Sequence, residues 1–255
     1  MRSAADVILV LRLYEEGFNK CDISRRTGVS LNTVKRWTAG QMLNLEARTP
    51  RAGCFHCEPS RGSADFAAYA YLLGMYLGDG HLVPLPRAVW RLAITQDARY
   101  TNLIRRCCEA IIRVGARQPT LRRRTGCFDI TSWWKHWIHL FPQHGPGPKH
   151  TRPILLEPWQ RVIVTAQPRE FLAGLIHSDG SRSLNTIRRI NRTGAIVSYA
   201  YPRYLFANTS LDIHRLFSDT CDVLGVRWTR ISAKNLAVSR RGDVAFLDTF
   251  IGAKS

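Results

Sequence analysis

Leu72-Leu73-Gly74-Met75-Tyr76-Leu77-Gly78-Asp79-Gly80 recurs a hundred residues later as Leu172-Ala173-Gly174-Leu175-Ile176-His177-Ser178-Asp179-Gly180. Each copy reads as a short apolar helix that stops at a glycine. Gly80 and Gly180 sit where a left-handed C-terminal cap would suit glycine. Small residues recur four apart in each copy, Gly74 with Gly78 and Gly174 with Ser178. At helical spacing they share one face and let two backbones approach closely, so the two helices are expected to pack against each other.

Asp79 and Asp179 then lie at the C-terminal ends of these helices. The helix dipole is negative there and disfavours an anion by roughly 0.3–1 kcal/mol. Two such carboxylates brought together also repel. A compensating cation is expected, and a divalent metal answers best: Mg²⁺, or Mn²⁺, takes one or two carboxylates with phosphate oxygens and water. Asp79 and Asp179 are the expected ligands, helped by the carbonyls of Gly78 and Ser178.

These residues resemble the signature of the LAGLIDADG homing endonucleases. The second copy matches its nine letters at seven positions, and the first keeps the Leu, Gly, Asp and Gly landmarks. Two copies in one chain look like the single-chain, pseudo-two-fold form, over about residues 66–255. The resemblance implies an α+β fold of two pseudo-symmetric αββαββα halves, with saddle-shaped sheets lying on DNA and metal-dependent cleavage of both strands. It also implies a glutamine and a lysine around the metals. Ile94-Thr95-Gln96 resembles the segment whose Gln orders water, and Ile130-Thr131-Ser132-Trp133-Trp134-Lys135 resembles the strand end that carries the active-site Lys. Gln96 and Lys135 therefore join Asp79 and Asp179 as expected catalytic residues.

Composition agrees with a polyanion partner. Over 255 residues the formal net charge is +18, mostly from arginine. That is too basic for an enzyme of neutral metabolites, and arginine suits bidentate contacts to phosphate and guanine. The start lacks a signal peptide's cleavage site and no apolar run reaches membrane-spanning length, so no membrane partner is expected. Seven scattered cysteines suggest a reducing, cytoplasmic compartment, and the basic charge suggests a DNA-associated protein there.

Ahead of the repeat, residues 1–45 read as a small all-α helix-turn-helix domain. A first apolar helix ends near Gly17. Asp22–Val29 gives a short second helix and a glycine turn, and Ser30 is a good N-cap for a third, Leu31–Trp37. Val29, Val34 and Trp37 are expected to pack inward, leaving Ser30, Asn32, Thr33, Lys35 and Arg36 for the major groove. Residues 46–65 read as a linker containing Cys54-Phe55-His56-Cys57. The Cys54–Cys57 spacing suits half of a zinc knuckle; His56, Cys21 or a distant His could supply the rest, and a thiol pair in a turn is the alternative.

Within 66–255, the first half spans 66–141, a Pro- and Gly-rich connection 142–168, and the second half 169–255. In the first half the motif helix is followed by a loop through Pro84 and Pro86, and Trp133–Leu140 reads as a helix. The second half carries a long basic stretch, with Arg188, Arg189, Arg192 and Arg203, that reads as a DNA-groove hairpin. Aligning Leu205–Thr209 with Leu92–Gln96 puts Thr209 where Gln96 stands, and the Lys135 position falls on Asp243 or Arg241. That puts the second site in doubt. Two functions compete: a site-specific endonuclease with a targeting head, and a non-cleaving transcription regulator built on the same fold. Both bind double-stranded DNA. The internal duplication predicts a monomer, with a dimer through the head as the alternative.

Overall fold

In the computed structural model the chain forms two units, Met1–Arg51 and Ala52–Ser255, and the residues described are 4–39, 54–57, 65–190, 194–252 and 254. Unit 1 is three helices: α1 (Ala4–Glu15), α2 (Lys20–Thr27) and α3 (Leu31–Thr38). Local chemistry sets each boundary. The Asn19 side chain caps α2 by accepting from the Asp22 amide, and Gly28 ends it in the left-handed region, at φ 65°. Ser30 caps α3 by accepting from the Thr33 amide. Val10, Ile23, Val29, Val34 and Trp37 close a small core of their own. Asn32, Lys35 and Arg36 are exposed on α3.

Unit 2 is built on two helices, α4 (Phe66–Asp79) and, late in the chain, α8 (Pro168–Asp179). Residues 68–77 of α4 and 171–177 of α8 are buried without interruption. A helix apolar on every side must be covered on every side. Each helix packs on the other and on the sheet that follows it.

The two sheets share one plan. The first orders its strands β1-β2-β4-β3, from β1 (Gly80–Leu85), β2 (Val89–Asp97), β3 (Thr120–Arg124) and β4 (Cys127–Trp134). The second orders them β5-β6-β8-β7, from β5 (Gly180–Ile190), β6 (Ile196–Ala207), β7 (Thr229–Ser232) and β8 (Asn235–Val238). Helices α5 (Thr101–Arg113) and α9 (Leu211–Val223) join the strand pairs. The short α6 (Trp137–Leu140) and α10 (Arg241–Asp248) close each half, and α7 (Pro158–Ala166) leads into α8. Each half therefore runs αββαββα.

Three expectations change. Trp133 and Trp134 belong to β4, paired with Arg91 and Trp90, so the helix that follows starts only at Trp137. Pro84 lies within strand β1 opposite Trp90; the strand is at a sheet edge, where a missing N–H costs no ladder bond. Gly80 and Gly180 are extended, with φ −90° and −102°, and are not left-handed caps. They are glycines because of crowding: a Cβ on Gly80 would lie 2.6 Å from the Cα of Tyr76, and one on Gly180 2.8 Å from the Cα of Ile176.

The contact between α4 and α8 is backbone on backbone. A Cβ on Gly74 would lie 2.6 Å from the Phe171 carbonyl oxygen and 2.7 Å from the Leu175 nitrogen, and one on Gly174 would overlap the Tyr71 carbonyl oxygen. Tyrosines buried beside this seam keep partners. Tyr69 Oη donates to the Leu140 carbonyl at 2.7 Å, and Tyr71 Oη lies 3.2 Å from His177 Nδ1. Gly174→Ala should therefore destabilise unit 2 by at least about 1–3 kcal/mol, the usual cost of overpacking, whereas Gly126→Ala, in an open turn at φ 74°, should cost less. Urea unfolding followed by circular dichroism would measure the difference.

Candidate active site

The seam brings both motif ends together. Gly78 faces Ser178, with the Asp179 carboxylate next to it: a Cβ on Gly78 would lie 2.8 Å from Asp179 Oδ2. Each carboxylate is held by an amide at the end of an inner strand of its own sheet, Gln96 within β2 and Asn208 just past β6. Gln96 Nε2 donates to Asp79 Oδ2 at 2.6 Å, and Asn208 Nδ2 donates to Asp179 Oδ2 at 2.6 Å. Gln96 is buried at 3% exposure.

Register explains the match. Gly80 pairs with Ile94 and Gly180 with Phe206, so two residues further on Gln96 corresponds to Asn208. The expectation that Thr209 holds this place is off by one residue. A one-residue slip in a strand turns every side chain to the other face, so Thr209 could not have reached Asp179 in the same way.

The lysines also differ from expectation. Lys135 is exposed in the turn after β4. The ammonium groups beside the carboxylates belong to Lys149 and Lys254. Lys149 Nζ donates to the Gly78 carbonyl at 3.0 Å and the Gly80 carbonyl at 2.6 Å; Lys254 Nζ donates to the Ser178 carbonyl at 3.1 Å. Gly78 and Ser178 are equivalent positions, each just before its Asp, so each half's helix end receives a lysine, although Lys149 also donates to the Tyr76 carbonyl at 2.5 Å and makes three such bonds to the one of Lys254. Neither Asp243 nor Arg241 is needed in this role, and the second half carries the same Asp, amide and Lys set as the first. The signal available in the sequence was a lysine beyond the last helix of each half.

Burial shapes the charges of this group. Loss of water raises Asp79 from its ordinary 3.8 to about 6, and the Asp179 charge adds to the rise; Lys254, the Gln96 bond and Lys149 oppose it. Burial also raises Asp179, against the Asn208 bond and the two lysines. Burial lowers Lys149 from 10.5 to about 8, although both carboxylates pull it up, and lowers Lys254 in the same way. Desolvated acids and bases close together are a frequent mark of a working site. A hard divalent cation fits this donor set: two carboxylates that resist ionisation alone, each bonded through Oδ2, with the Gly78 and Ser178 carbonyls beside them. The site opens into a cleft of about 490 Å³ lined by His81, His144, Lys149, Arg152, Asp179 and Asn208 among others. His144 lies edge-on to Trp90, while His177 is buried and bonds through Nε2 to the Ile251 carbonyl at 3.1 Å, a packing role.

The other expected residues fall by strand parity. Tyr204 and Phe206 of β6 point into the core, so Arg203 points to the opposite face. Through its register Arg189 shares that face, together with Asn185 and Tyr201, which bond to each other at 2.7 Å. Arg188 lies on the other face of the hairpin. Arg192 lies outside the described residues. The equivalent of Arg203 is Arg91, which the sequence did not single out: each lies three residues before the partner of Gly80 or Gly180. Nε of both arginines is buried without a hydrogen-bond partner among the described residues. Cys54 is buried and Cys57 exposed, and neither lines the cleft.

The raised pKa of Asp79 carries a stability consequence. Between pH 3.8 and about 6 the folded protein binds this proton and the unfolded chain does not, so stability falls as pH rises through that window. Above it the penalty is complete. Asp79→Asn should stabilise the chelator-treated protein at neutral pH by about 1–3 kcal/mol, and the gain should shrink below pH 5. Thermal melts at several pH values would check it.

A family model for a homeodomain-like domain matches residues 1–41. Comparison with curated protein sequences found no match. Among solved structures the chain is similar to mesophilic variants of the homing endonuclease I-DmoI, at 16% identity over 74% of this chain and 97% of that one, with a TM-score of 0.47. It is similar to the N-terminal LAGLIDADG domain of WhiA, at 14% identity over 75% and 85%, TM-score 0.46. It is also similar to the LAGLIDADG meganuclease I-AabMI, at 12% identity over 71% and 82%, TM-score 0.46. Unit 2 is thus two αββαββα halves joined at their motif helices, the plan that the LAGLIDADG-like motifs imply, and residues 1–41 match a homeodomain-like domain.

Proposed function

We propose that this chain is a sequence-specific double-stranded DNA-binding protein that hydrolyses phosphodiesters with a divalent metal, cutting both strands. The observation that carries the reading is the completeness of the twin site: Asp79 held by Gln96, Asp179 held by Asn208, and two buried lysines beside the pair, Lys254 acting most on Asp79 and Lys149 most on Asp179. A fold kept only for binding has no use for two buried carboxylates that cost stability.

Mg²⁺ or Mn²⁺, held by Asp79 and Asp179 with the Gly78 and Ser178 carbonyls, would neutralise charge on the scissile phosphates and activate water. The chain's own groups do the rest. Gln96 and Asn208 fix the rotation of the two carboxylates. The Lys149 ammonium, whose three N–H groups donate to the Tyr76, Gly78 and Gly80 carbonyls, supplies fixed positive charge for the phosphate, and solvent takes the proton of the water whose oxygen attacks phosphorus. Lys254, on the Ser178 carbonyl, supplies the second positive charge. As the new P–O bond forms, the P–O bond to the leaving deoxyribose oxygen breaks, and that oxygen is protonated from solvent or from a lysine. On the open sheet faces Arg91, Arg189 and Arg203 meet backbone phosphates, and Asn185 and Tyr201 are placed for base edges. Asn32, Thr33, Lys35 and Arg36, exposed or half-exposed on α3, would read a second stretch of sequence.

The test is cleavage of a randomised plasmid library with Mg²⁺. Linear product is expected from the wild type. Asp79→Asn, Asp179→Asn, Lys149→Met and Lys254→Met should each slow it at least roughly a thousandfold, about 4 kcal/mol of barrier, while binding of the selected DNA persists. Selected DNA that is bound tightly yet stays intact with Mg²⁺ and Mn²⁺ would overturn cleavage. It would favour the regulator reading, which the helix-turn-helix unit supports independently. Binding has its own test. Arg189→Ala should lower the slope of log K against log salt by about 1, as loss of one phosphate contact does, and Arg203→Ala likewise. Arg188→Ala, on the other face, should leave the slope nearly unchanged.

A further inference from the structure

Four potential metal donors meet outside the carboxylate site. Cys54 and Cys57 come from the short turn near the start of unit 2; His136 and His139 come from the beginning of α6. Their donor atoms all lie within 4.8 Å of one another. Cys57 Sγ lies 3.1 Å from His136 Nδ1 and 3.1 Å from His139 Nδ1. With metal–sulfur and metal–nitrogen bonds of about 2.3 and 2.0–2.1 Å, the edges of a tetrahedral site span about 3.3–3.8 Å, so the cluster is already near that size.

We propose that Cys54, Cys57, His136 and His139 form a structural zinc site. Three observations point the same way. The donors come from segments about eighty residues apart in sequence, so local helix geometry does not explain their meeting. The set is Cys₂His₂, two sulfurs and two nitrogens, which selects a borderline-soft tetrahedral ion and not the hard cation suited to Asp79 and Asp179. The neighbours hold both segments in place. Phe55 packs edge-on to Phe66, Tyr69 and Trp159, and His56 stacks on Trp159 at 4.3 Å, which keeps its ring occupied elsewhere. His136 packs edge-on to Trp134 at the end of β4.

A hydrogen-bonded thiol is the simpler account of the short contacts. The Cys57 thiol would donate to one imidazole and accept from the other, and that account gives Cys54, whose sulfur lies within the same 4.8 Å group, no part. Four protein donors also leave no open coordination position, so the ion would hold structure and not catalyse. It would staple the start of unit 2 to the end of β4 and to α6, next to the motif helix α4. This inference does not depend on whether the chain cuts DNA.

The full chain, purified without added metal or chelator, would be assayed for bound metal by mass spectrometry. About one zinc per chain is expected, and Co²⁺ exchanged into the site should show the strong visible bands of a tetrahedral thiolate complex. Cys57→Ser and His139→Gln, both at exposed positions, should each lower zinc affinity by more than the roughly 10–100-fold that loss of an outer-sphere partner costs. Cys21→Ser, in unit 1, should leave it unchanged. A strong chelator should lower the melting temperature of the wild type, and zinc but not Mg²⁺ should restore it. Folded wild-type protein with no bound zinc and only the pale spectrum of octahedral Co²⁺ would overturn the proposal. So would zinc retained equally in both ligand variants.

Discussion

Two helices of unit 2 cross at Gly74 and Gly174, where backbone meets backbone with no room for a methyl group. Everything at the site follows from that distance. Because the helices nearly touch, their C-terminal ends meet, and two carboxylates that each end a helix share one poorly hydrated space. The same approach makes the halves equivalent. Each helix runs directly into the first strand of its sheet at Gly80 or Gly180, and the register set there places Gln96 and Asn208 at the same height. A wider seam would separate the carboxylates and leave two unrelated half-sites.

The cost of this arrangement is electrostatic. Burial pushes Asp79 and Asp179 toward neutrality and Lys149 and Lys254 in the same direction from the other side, while their mutual attraction resists both shifts. The result is four groups whose charge depends on their neighbours more than on water. Such a cluster is a poor stabiliser and a good receptor for a cation and a phosphate, since either one supplies the charge that the missing water would have supplied.

Outside the seam, the two sheets differ in reach more than in plan. The β5–β6 hairpin is longer than β1–β2 and carries Arg189 and Arg203 on its open face. An open sheet face lined with arginine, tyrosine and asparagine has the chemistry to position a polyanion and to sort base edges. The net charge of +18 gives the whole chain a field that attracts polyanions.

The sequence by itself determined the duplication, the αββαββα plan of each half, the helix-turn-helix ahead of them, the two aspartates and the first amide partner. These are local patterns: small residues at helical spacing, caps at Asn19 and Ser30, alternation in the strands. What only the tertiary structure decided is which distant residues join them. Asn208 replaces Thr209 because strand pairing, not the count of residues from the helix, sets which side chain faces the core. Lys149 and Lys254 replace Lys135 because loops beyond each half fold back onto carbonyls at the helix ends, and no periodicity records where a loop returns. Cys54 and Cys57 find His136 and His139 for the same reason. Local sequence limits which conformations a segment can take, but contact between segments far apart in the chain depends on closing long loops, and that is settled only when the core between them is packed.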